Sequence, residues 1–565
     1  MAELTDSMIS KLNKKDIIEL LQESRKENRE LKEQMNKLAQ ELQETNQKLQ
    51  IILEKWNLAQ AKRFGASSEK MKYNSEEYQQ MELAAMYAEA FNEVDAAQDK
   101  DVPEPAIDDA LTVTYTRKKK NGKREEDLSS IPHAEPIFSE LTEEELIEKL
   151  GEGYIRMQDE IYKRLEFHPA SFEVKEYHVA VYKSKDGKRF VRADRPTVDL
   201  LRNSIATSSL VAGILNYKYV NGLPVYRLAQ DFQRNGVSIS HQVMCNWVIR
   251  CCERYLSLIY DRMKTELLRH PVIQADETTL KVNRDGRSSS AKSYMWVYIT
   301  GEFDSSGKHV VIYDYQKTRN AEHVHEFLGD YNGVLVSDGY QSYHQFSKVH
   351  ETIGSGCWMH CRRRYANAIK AAKTAGASEE GIRKTLAYEA LRQISEIYQL
   401  ENSWKSRDAE YRLDHRKRIL KPLVDEYFRW VKEQWQNGSV PPKSETGEGF
   451  IYSINQEQYL RAFLDNGEIP IDNGACERAI KPFCVGRKAW NVIDTIEGAQ
   501  ASAIAYSIAE TAKANSLKPY QYFEYLLAEL PKRVEQTMNE EFTLDDLMPW
   551  SDQLPDNCKK PIVKK

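Results

Sequence analysis

Three acidic residues carry the chemistry this sequence offers most directly: Asp276, Asp338 and Glu477. Cleaving a phosphodiester requires an activated attacking oxygen, a stabilised leaving oxygen and neutralised charge on the pentacoordinate phosphate. Two divalent cations about 3.5–4 Å apart meet all three needs. Mg2+, with Mn2+ as a tolerated substitute, takes hard carboxylate oxygens as ligands. Acids alone are a weak signal, because the chain holds 86 Asp and Glu residues and most carboxylates are surface charges or helix caps. The setting of these three is what selects them.

Asp276 lies in Val272-Ile-Gln-Ala-Asp276-Glu-Thr-Thr-Leu-Lys-Val282, a strand-like run followed by two more, Tyr294 to Ile299 and Val310 to Tyr313. Three consecutive runs predict an antiparallel meander. A helix over Ala321 to Leu328 comes next, then Gly333-Val-Leu-Val-Ser-Asp338-Gly-Tyr340, a buried-strand pattern ending in a carboxylate and a turn glycine. The order β-β-β-α-β, with one acid on the first strand and one ending the fourth, fits a ribonuclease-H-like core. Side chains alternate across a strand, so Asp276 and Glu277 face opposite ways and only one joins the site; Asp276 is chosen. The third acid must come from a helix beside these strand ends. Ile471-Asp-Asn-Gly-Ala-Cys-Glu477-Arg-Ala-Ile-Lys-Pro-Phe483 offers one, with Asp472 as cap, Ala475 and Ala479 permitting close packing, and Pro482 expected to end or kink the helix. Local sequence leaves Glu477 one acid among many.

The rest of the chain supplies the handling parts. Of 565 residues, 41% are hydrophobic and 29% charged, and no run reaches the length of a membrane span. The start, MAELTDSMIS, lacks a basic and an apolar signal region, which predicts a cytosolic protein with no membrane partner. A net charge of -6 excludes a wholesale basic coat, so nucleic-acid contacts must be local patches. Eight cysteines, none before Cys245 and none in a CxxC pair, read as reduced thiols.

Leu21, Asn28, Met35, Leu42 and Leu49 fall seven apart, and Ile17, Ser24, Leu31, Leu38, Thr45 and Ile52 fill a second seam. This predicts a coiled coil through residues 17–52 and a homodimer or higher assembly, with Asn28 fixing the register; the plainer alternative is a long helix packed within its own chain. The segment Ala61 to Glu69 is a basic helix end stopped by Gly65, with Ser67 or Ser68 starting a further helix. Residues 96–160, including a basic run from Arg117 to Arg124, read as a flexible linker. Alternation over Phe172 to Tyr182, followed by a basic turn, predicts a β-hairpin. From Ser208 the pattern turns helical: Pro224 to Phe232, a turn at Gly236, and a helix capped by Ser240 form a helix-turn-helix whose second helix suits a major groove, although ordinary bundles use the same hairpin.

Taken together, the sequence resembles transposases of the insertion sequence 66 family, the larger protein of those elements. The matching stretches are Arg63-Phe-Gly-Ala-Ser-Ser-Glu-Lys70, Tyr217-Lys-Tyr-Val-Asn-Gly-Leu-Pro-Val-Tyr-Arg227, Gln274-Ala-Asp-Glu-Thr278, Ser337-Asp-Gly-Tyr340, Cys357-Trp-Met-His-Cys-Arg-Arg-Arg-Tyr365, Pro470-Ile-Asp-Asn-Gly-Ala-Cys-Glu-Arg-Ala479 with Gly486-Arg-Lys-Ala-Trp490, and Asp546-Leu-Met-Pro-Trp550. The resemblance spans roughly residues 60 to 550 and implies a DDE-type transposase: Asp276 and Asp338 as the two aspartates, Glu477 as the glutamate, two Mg2+ ions between them. It implies as partners the terminal inverted repeats of the element, target DNA and accessory proteins of the same element, in the bacterial cytosol or nucleoid. Rival readings are a catalytically silent DNA-binding or assembly protein and a host nuclease with the same core.

From Asp338 to Glu477 is 139 positions, more than a simple core needs, which predicts a helical insertion. The family's zinc-binding segment has no counterpart, since Tyr182 to Asp194 contains no cysteine, so no structural zinc is expected; Cys357, His360 and Cys361 lack a fourth ligand nearby. At the third motif Gly474 and Cys476 stand where the family has Asn and Ala. Arg362, Arg363, Arg364, Arg478, Lys481, Arg487 and Lys488 are expected to contact DNA phosphates, with solvated surface as the alternative. Trp490 reads as core. The predicted architecture is a multidomain α+β chain: coiled coil 1–58, helical segment 59–95, linker 96–160, β-hairpin region 161–207, helix-turn-helix-like 208–264, ribonuclease-H-like α/β core 265–370 and 466–530 interrupted by an α-helical insertion 371–465, and a tail 531–565.

Overall fold

A computed structural model describes residues 14–64, 172, 174, 181–183, 190–192, 198–202, 204–288, 291–536 and 543–561. The expected helix after Ser68, the linker and its basic run lie outside these residues, as does most of the 172–180 strand. One compact unit comprises residues 1–67 and 176–559 and contains nearly everything below; a second comprises 68–175 and 560–565. The described part is mixed α+β, mostly helical around a central sheet.

The chain opens with helix α1 (Lys14–Phe64). Strands β1 (Val181–Lys183) and β2 (Phe190–Arg192) pair antiparallel, with Tyr182 opposite Val191. Helices α2 (Ser208–Leu215), α3 (Val225–Arg234) and α4 (His241–Cys251) follow; the chain runs on through wide turns at Asn216–Val220 and Cys252–Leu256 into α5 (Ser257–Leu267). Gly236, at φ +83°, makes the turn between α3 and α4. The Ser240 hydroxyl accepts from the Val243 N–H at 3.3 Å and starts α4.

The central sheet is built from β3 (Val272–Leu280), β5 (Ser293–Thr300), β6 (Val311–Gln316), β7 (Val334–Val336) and β8 (Ile353–Ser355), in the order β6-β5-β3-β7-β8. Strand β4 (Val282–Arg284) continues β3 outside the sheet. The first three sheet strands are antiparallel, with Asp276 opposite Val297 and Tyr298 opposite Ile312, whereas β7 lies parallel to β3 and β8 parallel to β7. Helix α6 (Ala321–Leu328), capped by Asn320, makes the crossover, and α7 (Gln341–Val349) leads into β8. Nearly every β5 residue is buried, as suits a strand covered on both faces.

Helices α8 (Trp358–Thr374), α9 (Glu379–Arg383), α10 (Leu386–Ser403), α11 (Ala409–His415), α12 (Lys421–Gln436) and α13 (Glu445–Arg461) form the insertion. Its core gathers Trp358, Tyr365, Tyr427, Phe428, Phe450 and Phe463. Inside it Arg416, with no exposed side-chain surface, pairs with buried Glu401 and donates to the carbonyls of Phe463 at 2.8 Å and Asn466 at 2.7 Å. The module starts at Trp358, ahead of the boundary at 371 expected from sequence, because the motif helix and the insertion's first helix are one. The chain leaves and re-enters at one point: the Trp358 N–H donates to the Ile471 carbonyl at 3.3 Å.

Helix α14 (Gly474–Trp490) contains Pro482 in its interior, so the chain does not end the helix there but continues it to Trp490. Its attachments explain this. Phe483 and Cys476 are fully buried, and both ends are tied to β3, which outweighs the local cost of a missing N–H. After α14 comes β9 (Ile493–Thr495), which pairs parallel with β4, then α15 (Ile496–Ala514) and α16 (Pro519–Gln536). Ser507 Oγ accepts from the Tyr313 N–H at 2.8 Å, and Thr511 Oγ1 accepts from the Val311 N–H and donates to the Val311 carbonyl, both at 3.0 Å. Edge strand β6 is thereby capped by side chains of α15 instead of offering its backbone to another chain.

Candidate active site

Strand register brings the two aspartates together. Gln274 pairs with Val336 at the end of the parallel β3–β7 ladder, so Asp276, midway along β3, and Asp338, just past β7, each lie two residues beyond that pair. Asp338 accepts from the Tyr340 N–H at 2.9 Å, which fixes the turn after β7. Asp276 accepts from the Glu277 N–H at 2.8 Å. Burial, then the charges of Glu277 and Asp338, with a smaller contribution from Glu477, push the Asp276 carboxyl up to about 8. The three acids thus share one electrostatic environment.

Glu277 faces away, as strand parity requires, and its 3% exposed carboxylate pairs with Arg319 and accepts from Tyr343 Oη at 2.6 Å. Arg319 in turn stacks over the Tyr340 ring at 3.7 Å. Burial foremost, and Asp338, raise the Glu277 carboxyl while Tyr343 and Arg319 oppose them. No local pattern in the sequence points to Arg319 and Tyr343 as supports of β3 behind the site.

Glu477 is brought in by the anchoring of α14. The Asn473 side-chain amide donates to the Ala275 carbonyl at 2.8 Å, and Gln274 Nε2 donates to Asn473 Oδ1 at 3.2 Å. Asp472 accepts from the Gly474 N–H at 2.8 Å at the first turn. At the far end Arg487 donates to Thr278 Oγ1 at 3.1 Å. Gln274, Asp276 and Thr278 share one face of β3, so the helix lies along the face that presents the first acid.

Helix α8 meets this helix from the other side. Cys357 Sγ accepts from the Asn473 N–H at 3.2 Å, His360 Nδ1 is 3.7 Å from Glu477 Oε1, and Arg363 Nη2 donates to Glu477 Oε1 at 3.3 Å and Oε2 at 3.1 Å. Among the described residues, the group of His, Cys and acidic ligand atoms lying within 4.8 Å of one another is Cys357, His360 and Glu477; the three acids are not drawn that close. This group suits a metal poorly. Burial pushes the Cys357 thiol well above its ordinary range, and the Arg363 cation occupies Glu477. Cys361 belongs to the insertion core, contacting Tyr427 and Ser453. All eight cysteines are free thiols.

The expected phosphate-binding cations divide into two sets. Arg363 pairs with Glu477, Arg364 with Glu448 at 3.0 Å, Arg478 with Glu302 at 3.0 Å, and Arg487 holds Thr278. For Arg362, Lys481 and Lys488 no ion pair is found among the described residues, and the two lysines are exposed on α14 beyond Glu477. Trp490 packs edge-on against Phe483 at 5.7 Å.

Asp276 on β3 and Asp338 just past the parallel strand β7 thus lie beside the helix that carries Glu477, and the comparisons with known proteins place the chain in a transposase family. Residues 203–501 match the Transposase IS66 family, residues 507–550 the IS66 C-terminal element, and residues 53–135 the segment described as Transposase C of IS166 homeodomain. The chain belongs to the IS66 family of transposases. Similar sequences include Uncharacterized protein y4qI of Sinorhizobium fredii, 27% identical over 69% of this chain and 70% of its own length. Uncharacterized protein y4jD of that organism is 26% identical over 61% and 66%, and Uncharacterized protein y4hP is 22% identical over 71% and 72%. Transposases of the DDE class work with divalent metal ions. No helix among the described residues is long and apolar enough to cross a membrane.

Proposed function

We propose that this chain is a DDE-type transposase in which Asp276, Asp338 and Glu477 hold two divalent cations, Mg2+ or Mn2+, cleave the ends of an insertion sequence and join them to target DNA. The observation that carries this reading is the register placing Asp276 beside Asp338, with Glu477 on a helix fastened to the same strand. The strand order β6-β5-β3-β7-β8, three antiparallel then two parallel, supports a ribonuclease-H-like core. The residues fit cations by chemistry: Asp276, Asp338 and Glu477 offer hard oxygen donors, and the buried Asp276 feels the charge of the other two. Bound there, the ions would supply the charge that activates the attacking oxygen and stabilises the leaving one. The chain's own part is positional. Tyr340 N–H orients Asp338, Glu277 N–H orients Asp276, Asn473 fixes the helix under Glu477, and Lys481 and Lys488 are exposed cations on that same helix.

The test is direct. Purified protein, Mg2+ and a duplex carrying the element's end should give nicked ends and then joined products, both lost with a chelator. Equal nicking of a random duplex would indicate a host nuclease, and end binding without nicking a silent assembly protein.

Two further surfaces fit the same role. Helix α4 buries Met244, Trp247 and Val248 while exposing Gln242, Val243, Asn246 and Arg250. Gln and Asn match adenine edges, Arg matches guanine, and an apolar side chain suits a thymine methyl. The doubly substituted Gln242→Ala, Asn246→Ala protein should lose about 1–3 kcal/mol per contact of preference for end over random duplex while keeping its nonspecific affinity. Unchanged preference in a competition binding assay would remove α4 from the readout.

Along α1 from Leu31 to Ile52 the apolar residues of both heptad seams face solvent: Met35, Leu42 and Leu49 are 70%, 63% and 54% exposed, and Leu31, Leu38 and Ile52 are 58%, 64% and 63% exposed. The helix attaches to the rest of the chain near its C-terminal end, where Leu58 is buried, Glu54 accepts from the Glu445 N–H at 3.1 Å and Lys55 approaches Glu448 at 4.0 Å. The seams are left for a second copy of the same helix. Leu38→Glu with Leu42→Glu should weaken self-association by about a hundredfold or more, roughly 2.7 kcal/mol. Sedimentation velocity reads this, and an unaltered dimer would point to another interface.

A further inference from the structure

Arg363 sits where two demands conflict. Its Nη2 lies within 3.3 Å and 3.1 Å of the two Glu477 oxygens, so the acid assigned to metal binding is already neutralised by a side chain of the insertion. A guanidinium and a divalent cation cannot both hold that carboxylate at full strength, because they compete for the same lone pairs and repel each other. The Arg363 side chain is 35% exposed and Glu477 23%, so both are reachable from solvent. The planar fork that fits a carboxylate fits a phosphate equally well.

We propose that Arg363 is a positioning residue that holds Glu477 in the DNA-free protein and passes to a phosphate of bound DNA, releasing Glu477 to the metal. This rests on the reading of Glu477 as a metal-binding acid. The geometry around the pair supports a hand-over as opposed to a fixed structural bridge. Arg363 Nη1 donates to His360 Nε2 at 3.3 Å; a guanidinium only donates, so the imidazole N–H belongs on Nδ1, 3.7 Å from Glu477 Oε1. That Nδ1 is buried and has no hydrogen-bond partner. When Arg363 leaves, this N–H remains to orient the carboxylate without adding a full charge. Cys357 caps α8 and His360 and Arg363 stand in its first two turns, three residues apart, so one short stretch of chain carries the anchor of α14, the orienting imidazole and the latch. The consequence is linkage: DNA must raise metal affinity, and metal must raise the affinity for end DNA by the same factor.

The experiment measures Mn2+ binding to the full-length protein by the free-ion electron paramagnetic resonance signal, with and without a duplex carrying the element's end. Wild-type protein should bind the Glu477-dependent ion about tenfold more tightly with DNA. Arg363→Gln should bind it tightly already without DNA, with DNA adding less than about twofold, whereas a merely structural arginine would on removal weaken metal binding and lower the melting temperature. Arg363→Lys, which keeps the charge but loses the fork, should retain part of the coupling and serves if the glutamine variant does not fold. Wild-type coupling in both variants overturns the proposal. Glu477→Gln should lose one bound Mn2+ regardless of DNA; if it does not, the reading of Glu477 fails, a result distinct from intact coupling in the arginine variants.

Discussion

Asp276→Asn is expected to abolish end cleavage and, in the metal-free protein, to raise the melting temperature. Asn keeps the shape and the acceptor for the Glu277 N–H at 2.8 Å, so β3 should be undisturbed. Loss of one metal-binding oxygen charge at the centre of the site should cost at least about a thousandfold in rate, roughly 4 kcal/mol of barrier. The stability gain follows from the Asp276 carboxyl being pushed up to about 8 by burial and its acidic neighbours. Its folded value lies above its unfolded one, near 4, so the wild-type protein keeps its full stability below about pH 4 and loses it progressively until about pH 8. Asn cannot ionise and escapes this loss. The two proteins should therefore melt together near pH 4 and diverge by several degrees by pH 8, with Mg2+ stabilising the wild type more than the variant. Calorimetry across this range, beside a nicking assay, checks both halves. Cleavage retained by Asp276→Asn would remove it from the catalytic set.

Arg416→Met should be the most damaging single change to the insertion. It strands Glu401, 3% exposed, as an uncompensated charge and leaves the Phe463 and Asn466 carbonyls without their donor. Breaking a buried pair from one side costs about 3–5 kcal/mol, which for a domain of this size lowers the melting temperature by roughly 10 °C. Adding Glu401→Leu removes the orphaned charge and should restore most of the loss. A drop below about 1 kcal/mol in the single variant, or no recovery in the double, would contradict this account.

The readable parts of the fold were those whose pattern is local. Helix α6 coincides with its expected bounds because Asn320 caps it and Val324, Phe327 and Leu328 set a helical stripe. Parity separated Asp276 from Glu277. Strand β8 was missed because three residues, Ile353–Ser355, carry no periodicity, and the β4–β9 pair joins segments about two hundred positions apart. The chain through Pro482 follows tertiary anchoring over local preference. Glu477 illustrates the limit most clearly. Its Arg363 partner stands 114 positions away, and its anchor, Asn473 on the Ala275 carbonyl, is visible only once the strand is placed.

The hydrogen bond from Trp358 to Ile471 draws the two ends of the insertion to a common neck. For the sheet, more than a hundred residues therefore amount to a zero-length detour. The spacing between the second and third acids is independent of the contour length between them, so the neck itself sets no length for the helical module it carries. What an exchange of that module would forfeit is the grip of Arg363 and His360, through which the detour reaches back to the acid it was inserted ahead of.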